Sequence, residues 1–160
     1  MASTQHSVRT KEANWLSEPQ QQLWRNWLSA STLLPDRLSR DLQDAHDITL
    51  ADYEILVRLS EAPDRQVRMS ELAEKTLSSR SRLSHQIDRM EQAGLVTRRM
   101  CTEDRRGQWC QLTDVGWKLL VKAAPTHVQS VRDHLVDVLS PAQFEALGKA
   151  CGVVVDHLQD

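Results

Sequence analysis

The sequence predicts a mainly α-helical fold with a small β-hairpin. Apolar residues recur at helical spacing along most of the 160 residues. Residues 95–112 differ, because two β-rich segments there flank a turn-forming loop. Residues 70–116 run through a short helix, a turn, a second helix and this hairpin, which is the order of a winged helix-turn-helix. Long helices are predicted on both sides of it.

The first flanking helix is predicted to begin after Ser17, which is a suitable cap. Pro35 lacks an N–H donor and is expected to kink this helix near residues 31–32. Thr49 can cap a second helix, which carries its own apolar stripe. These two helices precede the helix-turn-helix.

The central pair of helices follows from caps and periodicity. Ser70 is expected to cap a short helix, and Ser79 can cap a second one that extends to about residue 93. Gly94 then stands where a helix usually ends in the left-handed conformation. Three apolar residues of the second helix share one face and should be buried. They are Leu83, Ile87 and Met90.

The opposite face of this second helix, with the turn before it, carries side chains that can donate to base edges and phosphates. The candidate DNA-binding residues are Ser78, Ser79, Arg80, Ser81, Arg82, His85 and Arg89. On a lone helix such residues usually form a solvated polar face. Here a basic hairpin follows at once, and that context favours DNA contact.

The predicted hairpin joins Leu95–Met100 to Trp109–Leu112, and a small strand at 67–69 is expected to pair with it. Its loop contains Arg105 and Arg106. Arginine fits the narrow, electronegative minor groove of A·T-rich DNA and also binds phosphates. An ordinary hairpin with a solvated tip is the alternative.

Two helices are predicted after the hairpin. Thr113 can cap a long helix to about Leu139, which Pro125 is expected to break or kink, and Ser140 opens a last helix to about Leu158. The apolar faces of the terminal helices hold more residues than a small winged-helix core can cover. A symmetric homodimer through these helices is therefore expected, with one larger monomeric core as the alternative.

The expected organisation is a single domain over residues 1–160. Residues 48–113 would form a winged-helix DNA-binding lobe, and residues 15–46 and 114–158 would form dimerisation helices. Residues 1–14 are polar and are expected to be disordered.

Charge is distributed unevenly along the chain. The net charge is −2, but residues 65–106 contain ten Lys or Arg against six Asp or Glu, so this segment carries +4. A basic segment in an acidic chain favours a nucleic-acid partner for that segment. No apolar run approaches the ~20 residues of a membrane span. The first residues also lack the apolar region of a secretory signal, so a cytoplasmic protein without membrane contact is expected.

Two motifs resemble those of a known family. Asp-Arg-Arg, five residues, Leu-Thr, two residues and Gly run from Asp104 to Gly116, and Ile-Asp-Arg-Met-Glu-x-x-Gly-Leu-Val runs from Ile87 to Val96. In these motifs, and over about residues 15–157, the chain resembles the MarR (multiple antibiotic resistance regulator) family of dimeric winged-helix transcription factors.

The resemblance implies a repressor that is released by a ligand. It implies that Ser81, Arg82 and His85 occupy the major-groove positions and that Arg105 occupies the minor-groove position. A two-fold dimer predicts a pseudo-palindromic double-stranded DNA operator with half-sites about one helical turn apart, ~10 bp.

The resemblance also implies an effector pocket between the dimer helices and the DNA-binding lobe. The candidate ligand-binding residues are Trp24, Trp27, His46 and Tyr53. Tryptophan supplies flat apolar walls for an aromatic acid, and histidine could hold its carboxylate. A small aromatic or phenolic anion is the expected effector. Simple packing of these tryptophans in the dimer core is the alternative.

The three cysteines argue against a disulfide framework, because their number is odd. Cys101 and Cys110 lie at the two ends of the hairpin, and Cys101 follows two arginines whose charge would favour a thiolate. They are redox candidates, so a thiol-based redox-sensing regulator is an alternative function. Ordinary strand cysteines are the simpler interpretation, and Cys151 is expected to be a core residue.

An enzyme is not expected. The chain contains neither a His-Glu-x-x-His nor a Gly-x-Ser-x-Gly motif, and its five glycines form no phosphate-cradling loop. No Cys-x-x-Cys pair is present and no histidine stands at ligand spacing to the thiols, so neither a metal site nor a cofactor is expected. A winged-helix protein-interaction module without DNA binding is the remaining alternative.

Overall fold

The structure is a computed structural model that describes residues 13–101 and 107–159. The chain divides into two compact units, Met1–Leu33 and Leu34–Asp160. The expectation of disorder over residues 1–14 therefore concerns residues outside the described part, apart from the last two, which are not helical.

Within the described residues the chain forms helices, three strands, a 3₁₀ turn and a π turn. In order these are α1 (Glu18–His46), α2 (Leu50–Ser60), the 3₁₀ turn Pro63–Arg65, β1 (Gln66–Arg68), α3 (Met69–Lys75), α4 (Arg80–Gln92), β2 (Val96–Met100), β3 (Gln108–Leu112), α5 (Asp114–Val131), the π turn Arg132–Val136 and α6 (Pro141–Gln159). This order confirms the predicted mainly α fold, in which a winged helix-turn-helix lies between long flanking helices.

Three helices begin with a capping box, in which a hydroxyl and a side chain three residues later each accept a hydrogen bond from the other's backbone N–H. The pairs are Ser17 with Gln20 in α1, Thr49 with Asp52 in α2 and Ser140 with Gln143 in α6. These contacts are local in sequence, which is why the starts of these helices could be predicted. The helix α1 continues through Pro35.

The start of α3 differs from the prediction. Its N-cap is Arg68, which makes no side-chain capping hydrogen bond, and Ser70 lies inside the first turn. The reason is the strand before it: β1 pairs with β3 as far as Arg68, so this residue is extended and the helix follows without a linker.

The expected break of α5 at Pro125 is also wrong. The helix is regular to Val131, and the departure from α geometry is the π turn Arg132–Val136. Proline removes only one helical N–H donor, and the carbonyl that loses it belongs to Val121. Val121 is 54% exposed, so water can replace the missing donor.

The strands form one antiparallel sheet in the order β1-β3-β2. Cys110 of β3 stands opposite Val67 of β1 and Arg98 of β2, and Val96 stands opposite Leu112. Of these, the apolar residues and Cys110 are buried. Because side chains alternate along a strand, one face of the sheet joins the core of the second unit and the other face does not. The small strand predicted at residues 67–69 is confirmed as β1, which begins and ends one residue earlier than predicted.

Candidate nucleic-acid interface

The helix α4 is held by its apolar stripe and by both ends. Leu83, Ile87 and Met90 are at most 2% exposed, as predicted. At the start of the helix, the Ser79 hydroxyl accepts a hydrogen bond from the backbone N–H of Arg82 at 3.3 Å. Past its end, Gly94 adopts a φ of +73°, in the left-handed region that suits glycine.

The face of α4 opposite this stripe is exposed. It carries Arg80, Ser81, Arg82, His85 and Arg89. Ser79 is exposed at the cap, whereas Ser78 is half-buried before it. Within the described parts of the chain, the side chains of Arg80, Ser81, Arg82 and His85 form no hydrogen bond or ion pair with protein groups. Their donors are therefore available to an external partner. The hairpin of β2 and β3 is the wing of this fold. Arg105 and Arg106, which were predicted to bind DNA from its loop, lie outside the described residues.

A buried carboxylate connects α4 to α2. Asp52 is 6% exposed and accepts hydrogen bonds from the N–H and hydroxyl of Thr49, at 3.0 and 2.7 Å. Its other oxygen accepts a hydrogen bond from Gln86 Nε2 at 3.1 Å and lies 3.5 Å from Arg89 Nη2. Sequence reasoning missed this link. The only local signal was Gln86, a polar residue beside the apolar stripe.

A second polar link fixes the wing to α4. The guanidinium of Arg98 in β2 donates to Glu91 at 2.7 and 3.0 Å and lies 2.6 Å from Asp88. The backbone N–H of Arg98 also donates to Glu91, at 2.8 Å. These hydrogen bonds lower the pKa of Glu91 and raise the pKa of Arg98, so the pair stays charged.

The root of the wing, at the start of β2 and the end of β3, is held against α5 by the Thr-x-x-Gly part of the sequence motif, Thr113 to Gly116. The Thr113 hydroxyl accepts from the Gly116 N–H at 3.0 Å and donates to the Gly94 carbonyl at 2.7 Å. A Cβ at Gly116 would collide with the carbonyl oxygen of Leu95. Both motif residues therefore hold α5, the end of α4 and the start of β2 together.

Known proteins are similar to this chain in sequence and in fold. A profile of the MarR family matches residues 46–107. The HTH-type transcriptional regulator PecS of Dickeya dadantii (strain 3937) is 32% identical over 136 residues, which cover 82% of this chain and 79% of PecS. The crystal structure of AbsC, a MarR family transcriptional regulator from Streptomyces coelicolor, is 46% identical with a TM-score of 0.86, and the match covers 92% of this chain and 99% of AbsC. This chain belongs to the MarR family.

A second structure in the family includes nucleic acid. Sco3205, a MarR family transcriptional regulator from Streptomyces coelicolor, was crystallised in complex with DNA. It is 42% identical to this chain with a TM-score of 0.90, and the match covers 93% of each chain. As a MarR-family member this chain is a helix-turn-helix transcriptional regulator.

The predicted ligand residues of this MarR-family chain fall into two pairs. Trp24 and Trp27 lie in the first unit, on α1, and are 49% and 45% exposed. His46 and Tyr53 lie in the second unit, and both contact α5. His46 Nε2 is 2.8 Å from the Thr126 hydroxyl, and the ring of Tyr53 stacks on His127 with centroids 4.4 Å apart.

Two imidazole nitrogens beside this contact are buried and lack a hydrogen-bond partner among the described residues. They are Nδ1 of His46 and Nδ1 of His127. Burial also lowers the pKa of His127 and raises the pKa of Tyr53, so both side chains stay neutral near pH 7. No motif in the sequence singled out His127, because its position depends on how α5 packs on α2.

Both cysteines of the hairpin are buried. Cys101 and Cys110 are 4% and 0% exposed. Burial, with a smaller contribution from the charge of Glu91, raises the pKa of Cys110 to about 12. A reactive cysteine needs an accessible thiolate at neutral pH, so the candidate role of Cys110 is wrong. Cys151 is half-buried in the chain and is not part of its buried core.

Within the part of the chain that the structure describes, no cluster of three His, Cys, Asp or Glu side chains could hold a metal ion. None of the described helices is both long and apolar enough to cross a membrane.

Proposed function

We propose that this MarR-family chain binds a pseudo-palindromic DNA operator as a homodimer and represses transcription until an effector releases it. The observation that carries the proposal is the exposed face of α4. Arg82 and His85 point away from the buried stripe with unused donors, as side chains that read base edges must. Arg105 and Arg106 are proposed to enter the adjacent minor groove.

The terminal helices support the homodimer. The helix α6 has no buried residue, although it carries an apolar stripe. The exposed apolar residues of α6 are Phe144, Val153, Val154, Val155 and Leu158. A helix with apolar residues and no buried one is typical of an interface, and a second copy with the same helix would cover these residues.

The test is DNA binding by the full chain. DNA selected by the protein from a random pool gives the operator, and fluorescence anisotropy measures affinity at two salt concentrations. We expect tight binding that weakens steeply with salt, because phosphate contacts release counterions. Arg82→Ala should cost about 1–3 kcal/mol on the selected operator and relax the preference at one base position.

The matched control is Lys149→Gln, which removes one positive charge from α6 and should leave affinity unchanged. Equal losses for Arg82→Ala on the selected operator and on random DNA would show that Arg82 only touches phosphate. A native chain that enriches no sequence from the pool would contradict operator binding and favour a protein-interaction module.

For the effector we propose a small aromatic or phenolic anion that binds near His46 and Tyr53. The support is the pair of buried imidazole nitrogens, which have no hydrogen-bond partner in the described part of the chain, beside an aromatic stack. Release requires that the effector bind the DNA-incompetent state more tightly, and a coupling of ~1–3 kcal/mol is typical.

Titration with 4-hydroxybenzoate as a probe should change the tryptophan fluorescence and lower the affinity for the operator. Tyr53→Phe should reduce the release. A panel of aromatic acids that changes neither fluorescence nor DNA affinity would contradict the effector proposal and leave operator binding untouched. The proposed function includes no catalysis.

A further inference from the structure

The side chain of Arg89 is ordered by a buried carboxylate. Asp52 of α2 is 6% exposed, and its Oδ1 lies 3.5 Å from Arg89 Nη2, an ion pair longer than an ordinary hydrogen bond. The other contacts of this carboxylate are short: Oδ2 accepts from the N–H and hydroxyl of Thr49, and Oδ1 accepts from Gln86 Nε2 at 3.1 Å. Asp52 is therefore fixed in place, and its charge holds the guanidinium from one side.

The rest of the Arg89 guanidinium is open to solvent. The Arg89 side chain is 63% exposed, and within the described parts of the chain it forms no hydrogen bond and no second ion pair. A guanidinium carries five N–H donors in a planar fork, so one long contact with Asp52 leaves most of them for an external anion. The neighbouring carboxylate of Asp88 is paired with Arg98 instead, at 2.6 Å.

Arg89 shares an open cleft with the residues that are proposed to read DNA. The cleft lies between the start of α2 and the exposed face of α4, and its lining includes Arg82, His85 and Arg89. Arg89 follows Arg82 by about two helical turns, which places it about 10 Å further along α4. Recognition helices contact base edges with their N-terminal residues, and the major groove is about 12 Å wide. A side chain at this distance behind Arg82 therefore lies near the edge of the groove, where the phosphates are.

We infer that Asp52 is a positioning residue for DNA binding, which orients Arg89 toward a backbone phosphate at the edge of the major groove. The inference rests on the proposed function. A phosphate accepts paired hydrogen bonds from an arginine fork, and a guanidinium that is already oriented loses less conformational entropy when it binds. The same carboxylate closes the capping box of α2 with Thr49, so α2 as well as α4 sets the position of this contact.

A double-mutant cycle on the full chain tests this coupling. Fluorescence anisotropy gives the affinities of the native chain, D52N, R89Q and the double variant for the selected operator over a range of salt concentrations. We expect R89Q to bind several-fold more weakly, with a salt slope smaller by about one, because one phosphate contact is lost. D52N should lose part of both. In the R89Q background D52N should change the affinity by less than about twofold, whereas in the Arg82→Ala background it should keep its full effect.

Two controls separate positioning from stability and from net charge. A smaller folded fraction would lower the affinity without changing the salt slope, so the slope of D52N distinguishes these two causes. Asp44→Asn makes the same charge change at an exposed position of α1 and should leave affinity and slope unchanged. Methylphosphonate substitution along the operator should also identify a phosphate whose neutralisation weakens binding by the native chain but not by R89Q.

Three results would overturn the inference while operator binding stands. Tighter binding by D52N would mean that Asp52 competes with phosphate for Arg89. A loss from D52N that is equally large in the native and R89Q backgrounds would mean that Asp52 acts only through the fold. An R89Q variant that binds as tightly as the native chain would mean that Arg89 contacts no phosphate. Failure of the native chain to enrich any sequence from the random pool would overturn the proposed function as well.

Discussion

The carboxylate of Asp52 connects two helices, α2 and α4. One oxygen closes the capping box of α2, and the other meets Gln86 and Arg89 on α4. A buried carboxylate is stable only when several donors satisfy it. Its contacts with α4 lie one turn from the exposed residues Arg82 and His85, so they orient the helix that is proposed to read DNA.

Asp52→Asn keeps the shape of this side chain and removes its charge. It should lower the free energy of unfolding by about 1–2 kcal/mol, because the cap and the bond to Gln86 both weaken. Urea denaturation followed by circular dichroism measures this. Asp44→Asn, on an exposed position of α1, is the control and should be neutral. Identical unfolding curves for the two variants would show that Asp52 is not a structural link.

His127 makes the stability depend on pH. Burial against Tyr53 lowers its pKa in the folded protein below the ordinary value of 6.5. The unfolded chain therefore binds the proton more readily, so stability is complete above about pH 6.5 and falls as the pH drops below that value.

Urea denaturation at pH 7.5 and pH 5.5 should show this loss, and His127→Phe should reduce it. His85→Gln changes an exposed histidine of α4 and should leave the pH dependence as it is. If the His127→Phe variant loses as much stability between pH 7.5 and pH 5.5 as the native chain does, another group causes the pH dependence.

Elements whose limits depend on neighbouring residues were predictable, and elements whose limits depend on distant contacts were not. The capping boxes and the stripe of α4 are local, and the sequence predicts them. The start of α3 depends on how far β1 pairs with β3, and the end of α5 depends on the π turn at Arg132. For the same reason the exposed face of α4 was predicted, whereas its links through Asp52 and Arg98 were not.

The junction of the wing with α5 allows a direct test. Gly116→Ala places a methyl group against the Leu95 backbone, which cannot move without displacing β2. The free energy of unfolding should fall by about 1–3 kcal/mol, as overpacking generally does. Thermal and urea melts measure it.

Val115→Ala, at the neighbouring but 59% exposed position, is the control and should change stability little. A Gly116→Ala variant as stable as the native chain would mean that β2 and α5 adjust without cost. It would also remove the packing explanation for this motif position.

The charge and the apolar surface of the chain lie in different segments. Residues 65–106 carry a net +4, whereas the unburied apolar residues concentrate in α1 and α6. This separation fits a molecule that presents one surface to an anion and another to a second copy of itself.

Val155→Asp tests the surface of α6. Val155 is 47% exposed in the single chain, so aspartate should be tolerated there by a monomer. In a buried dimer interface the unpaired charge should raise the dissociation constant at least about a hundredfold. Sedimentation velocity across a range of concentrations measures this, with Lys149→Gln as the control of equal charge change. A native chain that sediments as a folded monomer at micromolar concentration would contradict the dimer.

The exposed face of α4 has a consequence for how regulators of this kind diverge. The side chains of Arg80, Ser81, Arg82 and His85 form no hydrogen bond or ion pair within the described residues, so exchanging these side chains leaves core, caps and wing root intact. Substitutions at these positions can therefore change which operator is bound, while the stability of the fold stays nearly constant. After gene duplication, a copy that kept Thr113 and Gly116 but changed this face would encode a protein with the same fold. That protein would bind other promoters.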